Sequence, residues 1–242
     1  MPVSAPQIVI QDFGGFHNND LDATRARLVR GGSWKQQRIV VILPAADLIP
    51  AKVALSHWNL VFPPNNGVIR MLALGMEVGD AYSNCIAQIL EHPVLSQWEY
   101  VLCIEHDNSP PQDGVIKLIE HMEAHPEFAA IGGLYFTKFF SGVAQIWGNP
   151  NETPLNFRPQ LPDPNGGLVE CNGTGQGFTM FRLSMFKDPK LRRPWFVTLR
   201  GEGGVSTQDL YFWGDARKYG YRAAIACDVR VGHYDHATDV MW

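Results

Sequence analysis

The sequence predicts an α/β fold, a mostly parallel central sheet flanked by helices. Apolar runs such as RIVVILPA at 38–45 and YVLCI at 100–104 are continuous instead of alternating, as in strands covered on both faces. Between them lie segments whose apolar residues recur at helical spacing. The resulting order of strand, helix, strand, helix, strand implies parallel pairing through crossover connections. Composition agrees: 242 residues, 45% hydrophobic and 18% charged, can bury a sizeable core and exclude a disordered chain.

Residues 1–37 are polar, rich in Gly and Asn, and without period, which predicts an N-terminal extension. The first strand, 38–45, ends in Pro44-Ala45. Val53, Leu55, Trp58 and Leu60 suggest a short helix, the run from Pro63 to Gly67 a turn, and 68–74 a second strand. A helical pattern covers 78–90, and 99–104 is another buried strand. After Ser109-Pro110-Pro111, Val115, Leu118, Ile119 and Met122 fall at i, i+3, i+4 and i+7, a helix stopped by His125-Pro126. A third apolar strand spans 129–135. Residues 142–167, rich in Pro, Asn and Gly, predict a long loop or flap. GQGFTMFR reads as a strand, 207–219 as a helix and 223–231 as the last strand, with no internal repeat and no interdomain linker.

Several function classes lose support. Net charge is −4, with 24 acidic and 20 basic residues and no basic block, which disfavours nucleic acid as a partner. No stretch reaches the roughly 18 apolar residues of a membrane span. The four cysteines, Cys85, Cys103, Cys171 and Cys227, are widely spaced with no CxxC pair, and three of them, Cys85, Cys103 and Cys227, sit in or beside apolar runs, which predicts buried free thiols and a reduced, cytoplasmic setting. There is no GxxxxGK[ST] loop and no GxSxG elbow, and the glycines at 173–177 precede a strand instead of opening a helix. The pairs His121/His125 and His233/His236 lack the further ligands of a zinc site.

Three places carry candidate chemistry. Glu105 and Asp107 stand two residues apart at the carboxyl end of a buried strand, where open α/β sheets bind ligands. Two carboxylates converging there repel unless a hard divalent cation lies between them, and such a cation has positions left for diphosphate oxygens. Thr207 or Ser206 is a candidate N-cap that puts Asp209 in a first turn, where the helix favours its ionised form; the role is general base or holder of an acceptor hydroxyl, or stabilisation alone. His233 follows the last strand, in reach of the carboxylate pair as a third ligand.

Four pieces in order then resemble a known family: the strand ending in Pro44; Glu105-His106-Asp107 with Pro-Pro and a helix behind it; IGGLYFTK and CNGTGQGFTMFR leading to RPWF; and QDLYFWGDARKYGYRAAIACDVRVGHYD. Over residues 38–236 they resemble the nucleotide-sugar-dependent glycosyltransferases of the GT-A fold, especially the small soluble family-2-like type. That resemblance implies one Rossmann-like domain over 38–242, with a donor half to about 135 and an acceptor half beyond. It implies Mn²⁺ or Mg²⁺ on Glu105, Asp107 and His233, and a nucleotide-sugar donor contacted by Pro44, Ala45, Asp80, Asn84, Glu105 and His106. Asp209 matches the catalytic base of inverting members and the substrate-orienting acid of retaining ones. Gly173, Thr174, Trp195 and Gln208 match the side of the hydroxyl acceptor. The sequence departs from the pattern at Glu105, where Asp is usual, at Gln208, where Glu is commoner, and at Ser83, where an Arg usually precedes the Asn. The QxxRW motif of processive synthases is absent, so a single transfer fits better.

Other readings are separable. A sugar-nucleotide pyrophosphorylase would carry a Gly-rich basic loop after the first strand, and Leu43-Pro44-Ala45-Ala46-Asp47 is neither. The altered acidic motifs favour a non-catalytic sugar- or partner-binding module as the alternative. The acidic balance disfavours transfer of sugar to a modified DNA base.

Overall fold

The computed structural model describes residues 37–46, 48–64, 67–137, 142–201 and 204–242, so the N-terminal extension lies outside the described residues except for Gln37. In chain order the first half holds β1 (Ile39–Ala45), α1 (Ala51–Asn59), β2 (Val68–Leu74), α2 (Val78–Glu91), β3 (Tyr100–Ile104), β4 (Asn108–Ser109), α3 (Gly114–Ala124) and β5 (Ala130–Leu134). Then come β6 (Phe136–Thr137), β7 (Val143–Ala144), β8 (Ile146–Trp147), β9 (Leu168–Cys171), β10 (Gly173–Thr174) and β11 (Phe178–Arg182). The chain finishes with β12 (Leu199–Gly201), β13 (Gly204–Ser206), α4 (Gln208–Ala216), β14 (Ala223–Arg230), β15 (Gly232–Asp235) and β16 (Val240–Met241).

The central sheet has seven strands in the order β2-β1-β3-β11-β5-β14-β9. β2, β1 and β3 are mutually parallel, as are β5 and β14, while β11 runs antiparallel between β3 and β5 and β9 antiparallel to β14. The sheet is therefore mostly parallel, as the buried apolar runs predict. The inserted β11 is antiparallel because it enters from the end at which β3 and β5 leave. Its first residues, and the glycine-rich stretch before them, thus lie at the carboxyl ends of the parallel strands. Glu105 N accordingly bonds to Gly177 O at 3.1 Å.

One apolar cluster fills each face. α2 supplies Ala81, Tyr82, Ile86 and Ile89 to the first and α4 supplies Phe212 and Trp213. α3 supplies Val115, Leu118, Ile119 and Met122 to the second, the same positions whose spacing predicts the helix. The predicted long loop at 142–167 contains β7 and β8, with Trp147 bridged to Pro159. The predicted helix at 207–219 ends its α-helical part at Ala216, turns through 3₁₀ geometry over Arg217–Tyr219 and stops at Gly220, whose φ of 83° suits a residue without Cβ. All four cysteines are free and buried. Among the described residues no helix is long and apolar enough to cross a membrane.

Candidate functional site

β1 and β3 pair in the register Ile42↔Cys103, and two further residues along each strand bring Pro44 and Glu105 to the same edge. There a cavity of about 310 Å³ is lined by Pro44, Ala45, Val78, Glu105, His106 and Asp107, among others. It stands where open α/β sheets take their ligands, at the carboxyl ends of the strands beside a helix start.

His233 arrives by a small sheet that the sequence did not reveal. β4 and β15 pair in the register His233↔Asn108, and β15 pairs in turn with β16. Tyr234 N bonds to Asp107 O at 2.8 Å, and Trp242 exchanges two backbone bonds with His233 at 2.9 and 3.1 Å. His233 Nε2 is thereby held 3.6 Å from Asp107 Oδ2. Beside them His106 stacks on His236, ring centroids 6.3 Å apart.

The carboxylates differ in electrostatic character. Burial, then the charge of Asp107, then that of Asp209 push the Glu105 carboxyl up to about 8. Burial also pulls Asp107 upward, but the facing imidazole of His233, with a smaller contribution from His106, outweighs it and leaves Asp107 below the usual range. Asp209 lies in the first turn of α4, 8% exposed, and burial raises it against the opposing bonds from the Thr207 hydroxyl and the Leu210 amide. The field of Asp209 on Glu105 brings the late acidic residue into the same electrostatic group as the strand-end pair.

Two tyrosines and an asparagine, Tyr135, Tyr82 and Asn108, belong to this neighbourhood although the sequence gives none of them a part in the chemistry. Tyr135 is buried with its ring centroid 6.1 Å from that of His233, and its hydroxyl accepts from Gly177 N at 3.1 Å. Burial first, then Glu105, Asp209 and Asp107, hold that phenol protonated well above its ordinary value. Tyr82 is likewise raised by burial and then by Glu105. The available signal was position: Tyr135 directly follows the last residue of a buried strand. The glycines at 173–177 make room for such neighbours. A Cβ at Gly175 would overlap the Tyr135 hydroxyl, and one at Gly177 would come within 2.6 Å of the buried Asn108 amide.

The remaining sequence candidates are distributed differently. Asp80 and Asn84 sit one turn apart on the exposed face of α2. The α2 N-terminus is capped instead by Glu77, whose Oε2 accepts from Gly79 N at 2.7 Å and Asp80 N at 3.2 Å. Gln208 is half-buried at the head of α4. Thr174 and Trp195, expected on the acceptor side, are core residues. Thr174 is 0% exposed and accepts from the Trp213 indole at 3.3 Å, and Gly173 gives that same ring its space. Trp195 is 3% exposed, edge-on to Phe186 and beneath the Arg193 guanidinium. Both are drawn inward because the aromatic cluster under α4 offers more apolar contact than the cavity rim. The other histidine pair is hydrogen-bonded to carboxylates: His121 with Asp228 at 2.8 Å and His125 with Glu127 at 3.2 Å.

Among the described residues no group of three or more His, Cys, Asp or Glu side chains converges as a metal cage. Asp107 and His233 nonetheless form a carboxylate–imidazole donor pair, and Glu105 next to them is a carboxyl group whose ionised form a cation would stabilise. This donor chemistry fits a divalent ion held by two or three side chains and completed by ligand oxygens.

No protein-family model matches the sequence, and no curated protein matches it. Solved structures do. A197 from STIV superposes with a TM-score of 0.58 at 15% identity, over 82% of this chain and 86% of that one. GalNAc-T7, in a structure with UDP, GalNAc and Mn²⁺, superposes with a TM-score of 0.55 at 9% identity, over 81% of this chain and 44% of that one. At these identities the likeness is one of fold, and the fold is GT-A-like.

Proposed function

We propose that this protein is a glycosyltransferase that moves a sugar from a nucleotide-sugar donor to a hydroxyl of an acceptor. The observation that carries the reading is the Asp107–His233 pair, 3.6 Å apart at the strand-end cavity, with Glu105 beside it. The GT-A-like fold supports the same reading, as does the UDP, GalNAc and Mn²⁺ bound in the GalNAc-T7 structure.

In this reading Pro44, Ala45 and His106 wall the nucleotide end of the donor, whereas Asp80 and Asn84, exposed on α2, stand outside the cavity lining. Asp107 and His233, with Glu105 as the third donor, would hold Mn²⁺ or Mg²⁺. Such an ion supplies positive charge to the diphosphate as the sugar–phosphate bond breaks. Asp209, raised by burial, is suited to take the proton of the acceptor hydroxyl or to orient that hydroxyl against the sugar. Gln208 and the end of the glycine loop, Gly175 and Gly177 beside the Tyr135 hydroxyl, would stand on that acceptor side.

The test is a thermal-shift screen of UDP-, GDP-, CMP- and dTDP-sugars with and without Mn²⁺, followed by mass-spectrometric detection of donor turnover. One nucleotide is expected to raise the melting temperature in a metal-dependent way through mass action. Asp107→Ala should abolish both the shift and the turnover. Binding without turnover would favour the sugar-binding module, and no shift with any donor would overturn the donor site itself.

A further inference from the structure

A second cavity, of about 280 Å³, opens where β5 and β14 leave the sheet, and its lining includes Phe136, Pro162, Asp163, Pro164, Arg230 and Trp242. At that point the pairing of β14 with β5 shifts register between Ala226 and Arg230, a bulge that re-aims the strand's last side chain. Arg230 is exposed, and no ion pair engages it among the described residues. Trp242 is tied to the first site through the two backbone hydrogen bonds it exchanges with His233.

The lining has three chemical parts. Phe136 and Trp242, with two prolines, give a flat apolar surface that suits the C–H face of a pyranose ring. Asp163, whose Oδ1 is fixed by the Asn165 amide at 2.9 Å, gives a positioned acceptor for sugar hydroxyls. Arg230 gives a planar fork of donors suited to a carboxylate or phosphate. An anion without hydroxyls would leave Asp163 with no donor to accept from, and a neutral sugar would leave the guanidinium without a charged partner. A volume of about 280 Å³ is enough for one sugar ring.

We infer that this cavity binds an anionic sugar of the acceptor, a uronate-type or phosphorylated residue whose charge Arg230 holds while Trp242 and Phe136 pack its ring. The acceptor role rests on the glycosyl-transfer reading above; the binding itself does not.

The experiment is ligand-observed NMR on the full chain with three probes at equal concentration: glucuronate, glucose 6-phosphate and glucose. Nucleotide-sugar binding is read in the same samples. At least one anionic probe should bind more tightly than glucose, and the better of the two anions identifies whether carboxylate or phosphate is preferred. Arg230→Gln should weaken anion binding about tenfold, the loss of a charge-assisted pair, while Arg230→Lys should restore part of it. Trp242→Ala should weaken all three probes. Equal binding of glucose and the anions, or anion binding unchanged in Arg230→Gln, overturns the inference even where nucleotide sugar binds. Arg230-dependent anion binding without any nucleotide-sugar binding would keep the cavity's assignment and overturn the transfer reading instead.

Discussion

Glu105 keeps its proton to about 8, far above an ordinary glutamate at 4.5, because burial, Asp107 and Asp209 all oppose its charge. Between those values the folded protein holds a proton that the unfolded chain has released, so this group makes stability fall as pH rises through that window. Glu105→Gln removes the titration. Across pH 5 to about 8 the wild type is expected to lose melting temperature relative to Glu105→Gln, the gap widening with pH, as measured by thermal denaturation in buffers free of divalent ions. Parallel profiles would show that the carboxyl titrates as it does in water. The strand-end pair was legible in the sequence because an acidic residue after a buried apolar run is unusual and placed where ligands bind. Tyr135 and Asn108 were not, since a tyrosine or asparagine at a strand end is common and only the folded contacts with Gly175 and Gly177 distinguish these two.

At the scale of elements, α2 shows what one hydroxyl can fix. Ser83 Oγ donates to Phe196 O at 3.2 Å and accepts from Phe196 N at 3.0 Å, clamping a buried stretch of irregular backbone to the helix. Gly79, one turn earlier, lets that stretch approach closely: a Cβ there would lie 3.0 Å from Phe196 O. This accounts physically for the serine at a position where the family resemblance leads one to expect arginine. Ser83→Ala leaves two buried backbone groups without their partner and should cost about 1–3 kcal/mol. In a chain of this size that is a fall of roughly 2–4 °C in Tm per kcal/mol, readable by calorimetry. An unchanged Tm would mean that the chain near Phe196 relaxes to other partners. Helices such as α3, and the strand β2, were legible because eleven and seven residues carry a clear period or apolar run. β4 and β15 span two and four residues, too short for any period, and so the small sheet that delivers His233 to Asp107 was invisible.

For the whole molecule, the class of fold follows from the alternation of buried strands and amphipathic helices, whereas the insertion of β11 between β3 and β5 does not. Strand order is a matter of pairing between residues far apart in the chain, and local periodicity carries no record of it. That insertion has an energetic consequence. Phe181 on β11 lies in the middle of the sheet and meets Phe186, Phe196, Phe212 and Trp213, with ring centroids 5.5, 6.4, 6.0 and 6.0 Å away. The cluster is what seats α4, and with it Asp209, against the sheet; Trp213 in turn holds Gly173 and Thr174. Phe181→Ala opens a cavity that four rigid rings cannot fill by small shifts, and its expected cost is about 3–5 kcal/mol. Phe181→Leu, which keeps most of the volume, should cost clearly less. Urea unfolding measures both: the midpoint should fall in that order with the slope unchanged. Equal midpoints for the two variants would show that aromatic packing, not filled volume, holds α4 in place.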